Sequence, residues 1–166
     1  MEVDILGAIL GALGRYWGEA ELRPLTAAFH IKGEPVLEPG DPTCFLQNRA
    51  LGVELTFRAV EALQVRLRDY PPDALVLHNI RLYGPGSSTY APFTGALPFG
   101  IRLGDSRQTL IEKLGPPDSE VADLGSLRWD RARYALFVNL GDDGSVARLA
   151  MQTPVVVTRK PGFEEG

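Results

Sequence analysis

Cysteine, histidine and methionine are scarce in this 166-residue chain, with one, two and two copies. A lone cysteine, Cys44, excludes an internal disulfide and removes any sign of an oxidising compartment. It reads as a small buried hydrophobe. His30 and His78 have no cysteine or further histidine at zinc spacing, so no metal site is expected. A strong charge of one sign is also missing. The 17 basic and 21 acidic residues leave a net charge of −4 with no basic stripe, which argues against a nucleic-acid partner. The apolar run from Ile5 to Leu13 is too short to cross a bilayer. Glu2 and Asp4 stand where a secretory signal carries basic residues. A soluble, cytoplasmic protein without membrane association is expected.

Catalytic patterns are equally thin. Gly104-Asp105-Ser106 has the letters of a serine-hydrolase block, but both histidines lie upstream and no Asp-x-x-His follows. Helix capping accounts for Asp105 and Ser106 instead. Asp142-Asp143 lacks the flanking oxygens of a hard-cation loop and reads as a hairpin turn. Gly100 to Gly104 matches neither phosphate-binding glycine pattern. The chain is therefore not expected to be an enzyme or to hold a cofactor.

What is present is enough apolar material for a core, with 45% hydrophobic and 23% charged residues. The most ordered stretch runs from Leu97 to Pro117. Asp105 is the expected helix N-cap with Gln108 returning the bond, Leu110, Ile111 and Leu114 form an apolar stripe, and Gly115-Pro116-Pro117 stops the helix. Upstream, Asp4 is expected to cap a first helix reaching about Arg15, and Glu19 to Phe29 a second, starting as late as Arg23 because of Pro24. Strands are expected over Cys44 to Arg49, Leu51 to Arg58, Leu75 to Tyr83, Ser126 to Arg133, Tyr134 to Leu140 and Ser145 to Thr153. Val60 to Tyr70 fits either a strand or a short helix.

Each half thus reads as helix, proline-rich loop and antiparallel meander. Asn48-Arg49-Ala50 aligns with Asp130-Arg131-Ala132, each before an apolar strand, which points to a duplicated unit. The expected fold is α+β: a first unit over 1–84, a linker over 85–96, a second unit over 97–158 and a flexible tail over 159–166. Helices should cover one face of the sheet and leave the other open. Period-2 reading puts Glu54, Thr56, Arg58, Asn79, Arg81, Tyr83, Arg128 and Asp130 on that open face. Tyr and Arg are the residue types that anchor interfaces, so these are the candidate partner-binding residues, with Arg81 and Tyr83 central.

Gly104-Asp105-Ser106, Leu110 and Leu114-Gly115-Pro116 followed by strands resemble the small outer-membrane lipoprotein assembly factors of the SmpA/OmlA type. Tandem copies of that unit are similar to the beta-lactamase inhibitory protein. The lipid-attachment cysteine of those lipoproteins is not found in this N-terminus. Leu97-Pro98-Phe99-Gly100-Ile101, Gly104-Asp105-Ser106-Arg107, Leu114-Gly115-Pro116-Pro117 and Trp129-Asp130 resemble an uncharacterised bacterial family encoded beside polymorphic or contact-dependent toxins. That resemblance implies an immunity protein whose partner is a cognate toxin or effector protein. The alternatives are a non-catalytic assembly or scaffolding module and, last, a small hydrolase. The sequence leaves the oligomeric state open.

Overall fold

Asp4 caps helix α1 (Ile5–Ala12), its carboxylate accepting the Gly7 N–H at 2.9 Å. The structure, a computed structural model, describes residues 4–154. The end of the second unit from Val155 and the tail expected over 159–166 lie outside the described residues. Helix α1 ends three residues short of Arg15 because the chain there is recruited by a strand. Gly14 adopts φ +83°, a region open to glycine, and its N–H donates to the Leu77 carbonyl at 2.9 Å. Trp17 repeats the contact, donating to the Leu75 carbonyl at 2.8 Å. The second helix divides into a 3-10 turn (Ala20–Leu22) and α2 (Arg23–Ala28), with Pro24 tolerated in the first turn.

The described strands are β1 (Thr43–Asn48), β2 (Val53–Ala59), β3 (Leu75–Tyr83), β4 (Ser119–Val121), β5 (Ser126–Asp130), β6 (Ala135–Leu140) and β7 (Val146–Gln152). They form one antiparallel sheet in the order β1-β2-β3-β7-β6-β5-β4. The last strands of the two meanders, β3 and β7, pair at its centre, with Arg81 opposite Ala150. The fold class is α+β, as expected. Three details differ. Val60–Ala62 is a 3-10 turn rather than part of a strand or helix. The stretch between Pro117 and Ser126, where no strand is expected above, contains β4, so the second meander has four strands. The stretch 85–96 is packed rather than extended: Tyr90 and Phe93 are both buried.

One apolar row crosses the five inner strands of the sheet: Leu55, Ile80, Met151, Leu136 and Trp129 are successive register partners, and all are buried. Ile9 and Ala12 of α1, Leu25 of α2 and Leu110 of helix α3 (Arg107–Leu114) join the same core. The helices therefore share that face, and the alternate residues of each strand point away from it.

Capping of α3 falls to Ser106, not Asp105: its hydroxyl accepts the Thr109 N–H at 3.2 Å. Asp105 is buried and serves as a clamp, accepting from the Arg102 N–H at 2.9 Å and Lys113 Nζ at 2.6 Å. Burial pushes its carboxyl pKa up, but the bonds from Lys113 and Arg102 outweigh it and hold the group below the usual carboxylate range. On the apolar stripe Leu110 is fully buried, whereas Ile111 and Leu114 are half-buried. Leu114→Ala is accordingly expected to cost about 1–2 kcal/mol, below the range for a fully buried leucine. A urea titration checks this, and an unchanged midpoint would show that α3 adds little at that position.

Candidate functional site

The open face can be read as a grid. Along one row stand Gln47, Glu54, Arg81, Ala150, Phe137, Arg128 and Ser119, each the register partner of the next. The next row holds Phe45, Thr56, Asn79, Gln152, Ala135 and Asp130. Tyr83, Arg148, Asn139 and Ser126 make a third. Glu54, Thr56, Asn79, Arg81, Tyr83, Arg128 and Asp130 thus share one face, and Arg58 continues it beyond the irregularity in β2–β3 pairing.

Those eight residues are not equivalent. Glu54, Thr56 and Asn79 are buried. Tyr90, from the segment after β3, reaches Glu54. Its ring stacks on Tyr83 with centroids 3.9 Å apart and planes 6° from parallel. Its hydroxyl donates to Glu54 Oε2 at 2.7 Å, and Gln47 Nε2 donates to the same oxygen at 3.2 Å. Burial, then the Glu54 carboxylate, pushes the Tyr90 hydroxyl pKa far above its usual value, so it stays a donor. The segment then turns around the sheet end: the Ala91 N–H donates to the Arg49 carbonyl at 2.9 Å and the Phe93 N–H to the Tyr83 carbonyl at 2.8 Å. Phe93 finishes in the core, edge-on to Phe29 at 5.9 Å. Residues 84–93 are a strap with one aromatic on each side of the sheet.

At the opposite end the pairing Thr56 with Asn79 and Phe57 with Leu77 leaves His78 as an extra residue, a β-bulge. His78 Nδ1 lies 2.8 Å from Thr153 Oγ1. Burial, with help from the Arg58 guanidinium, lowers its pKa to about 4. The folded state therefore holds this imidazole neutral while the unfolded chain takes a proton near the ordinary value, so stability conferred above about pH 6.5 drains away as pH falls towards 4. His78→Asn is expected to flatten the dependence of melting temperature on pH across that window. An unaltered slope would mean that other groups set the acid limit.

Charge on the face is unevenly matched. Arg128 grips Asp130 with two bonds, Nε to Oδ1 at 2.8 Å and Nη2 to Oδ2 at 3.0 Å, and lies over the Phe137 ring. Arg81 Nη1 is 4.0 Å from Glu54 Oε1, a long pairing whose acid already serves Tyr90 and Gln47. Among the described residues the Arg148 guanidinium donates to the Asn139 amide oxygen alone, at 3.3 Å. Among the described residues three buried side-chain polar atoms lack a hydrogen-bond partner, Arg58 Nε, Asn79 Oδ1 and Arg81 Nε, and all belong to this face.

Between β3, β7 and β6 runs a groove of about 470 Å³, lined by Arg81, Arg148, Asn79, Asn139 and Gln152 over Phe137 and Ala150. Leu124, from the 3-10 turn Ala122–Leu124, forms its wall and is 70% exposed. Beyond Gln152 it meets a hollow of about 210 Å³ beside Arg58 and His78. Among the described residues no three His, Cys, Asp or Glu side chains gather as a metal site, and no helix is long and apolar enough to cross a membrane.

Sequence reading missed Tyr90, Arg148, Asn139 and Phe137. The last three stand at alternate positions of β6 and β7, where period-2 reading carried further would have reached them. Tyr90 had no such signal, since its place depends on a turn made by the Gly- and Ser-rich stretch before it.

No family model matches the chain, and no curated protein matches it. In the comparison with solved structures, the chain is similar to a DUF4309 family protein, YjgB from Bacillus subtilis. That crystal structure shares 17% sequence identity over 90% of this chain and 92% of the other, with a TM-score of 0.45.

Proposed function

We propose that this chain is an immunity protein, a binder that neutralises a cognate bacterial toxin or effector by docking it on the open sheet face. One observation carries the reading: the face opposite the helices holds arginines, amides and aromatics, including buried polar atoms left without partners. A solvated face has no need to keep such atoms dry, whereas an interface satisfies them when the complex forms. The resemblance through Leu97–Ile101, Leu114–Pro117 and Trp129-Asp130 supplies the class of partner.

The two halves are further read as duplicated units. Asn48-Arg49-Ala50 and Asp130-Arg131-Ala132 each fall at the turn before the next-to-last strand of their meander, and the two last strands pair at the centre. This order also suits an assembly module of the SmpA/OmlA type, which would fractionate with the cell envelope; an immunity protein would co-purify with the product of the adjacent toxin gene.

The test is affinity for that product. Arg81→Ala combined with Tyr83→Phe, which keeps the ring against Tyr90, should weaken binding by at least about 2 kcal/mol with little change in melting temperature. Unaltered affinity would move the docking site off these residues.

A further inference from the structure

We infer that the groove along β3 and β7 takes an acidic, extended peptide segment of the protein partner, its carboxylates meeting Arg81 and Arg148. The inference rests on the open-face reading above and names the chemistry of what sits there. It runs against the net charge of −4, which by itself would suggest a basic partner.

The groove's lining contains two arginines, three amides and a serine, and no carboxylate. The adjoining hollow beside Arg58 likewise has none. Both acids of the central rows are already committed, Glu54 to Tyr90 and Gln47, and Asp130 to Arg128. Arg58 and Arg148 make no ion pair among the described residues. The acids Asp142 and Asp143 line the neighbouring hollow at the hairpin end, which shares Arg148, Asn139 and Leu124 with the groove, and neither forms an ion pair with Arg148. Charge complementarity therefore selects an anionic occupant between Arg148 and Arg58.

A peptide fits better than a small anion. The face leaves one kind of donor, the guanidinium Nε–H of Arg81 and Arg58, and one acceptor, Asn79 Oδ1, without partners. Carboxylate side chains satisfy the donors, and a backbone N–H satisfies the acceptor; an inorganic anion offers nothing to Oδ1. Asn79 is 8% exposed, so its unpaired oxygen is not simply left to water. The positions also form a line: from the Tyr83–Arg148 row to the Arg58–Val76 row is about 23 Å at the usual rise per strand residue. That is the length of about seven extended residues. Phe137 and Ala150 between the arginines give the alternate, smaller side chains an apolar floor.

The test uses fluorescein-labelled Glu-Ala-Glu-Ala-Glu-Ala-Glu and its lysine counterpart, with anisotropy for affinity and NMR shifts for location. The acidic peptide is expected to bind, to weaken as salt rises, and to shift Arg81, Arg148, Asn79 and Asn139 signals. Arg148→Glu, at an exposed position that does not threaten folding, should weaken it at least tenfold, and Arg81→Glu with Arg148→Glu further still. Citrate at equal carboxylate concentration should not displace it. Tighter binding of the lysine peptide on the same face would overturn the acidic chemistry while sparing the face as an interface. Shifts confined to the helices would overturn both. Full displacement by citrate, or no binding at all, would overturn the peptide inference alone.

Discussion

Trp129→Ala should lower the unfolding free energy by about 3–5 kcal/mol, the range for truncating a fully buried aromatic. Trp129 is 1% exposed and closes the apolar row that starts at Leu55. Its indole Nε1 donates to the Gly115 carbonyl at 3.0 Å, tying β5 to the end of α3. Removal opens a cavity under the helix and strands a carbonyl at a helix terminus, where partners are already few. In a chain of this size the loss corresponds to a fall in melting temperature of about 10 °C. Trp129→Phe separates the two effects: it keeps most of the volume, so its smaller cost reports the hydrogen bond. Calorimetry of both variants checks the account, and near-wild-type melting of Trp129→Ala would show that the second meander does not depend on α3.

Gly52→Ala is expected to cost about 3 kcal/mol and to loosen the strap. Gly52 has φ +79°, where an alanine pays roughly 1–2 kcal/mol in steric strain. A methyl group there also runs into the Ala91 carbonyl oxygen and presses on the Phe93 nitrogen, so the strap must shift. Phe93 then gives up burial worth about 1.5–3 kcal/mol. Because the same segment carries Tyr90 onto Glu54, chymotrypsin should cut at Tyr90 faster in the variant. A wild-type cleavage rate together with an unchanged urea midpoint would mean that the strap is not held by this turn.

How far the fold was legible can be traced residue by residue. The alternation of Val53, Leu55 and Phe57 with Glu54, Thr56 and Arg58 fixes which face each residue takes, because one face must be apolar to hold the helices. Alternation does not say how deep a polar residue lies: Glu54 is buried only because Tyr90 folds over it from elsewhere in the chain. Local pattern likewise favoured Asp105 as the cap. Lys113, a full two turns along α3, draws that carboxylate inward and leaves capping to Ser106. Helix α1 fell short of Arg15 for a similar reason, as Gly14 and Trp17 bond to β3, which is distant in sequence. Period and capping signals are local; the strap, the bulge at His78 and the early helix end are tertiary, and tertiary contacts override local preference.

The central claim is that a partner docks on the face opposite the helices, and a site-specific cross-link tests it most directly. A photoreactive p-benzoylphenylalanine in place of Leu124 sits on the exposed wall of the groove, while one at Ala27 sits exposed on α2, among the helices. With a candidate toxin partner present, the expected result is a cross-linked heterodimer from position 124 and none from position 27. Cross-linking from position 27 alone would contradict the docking face and place the partner on the helices.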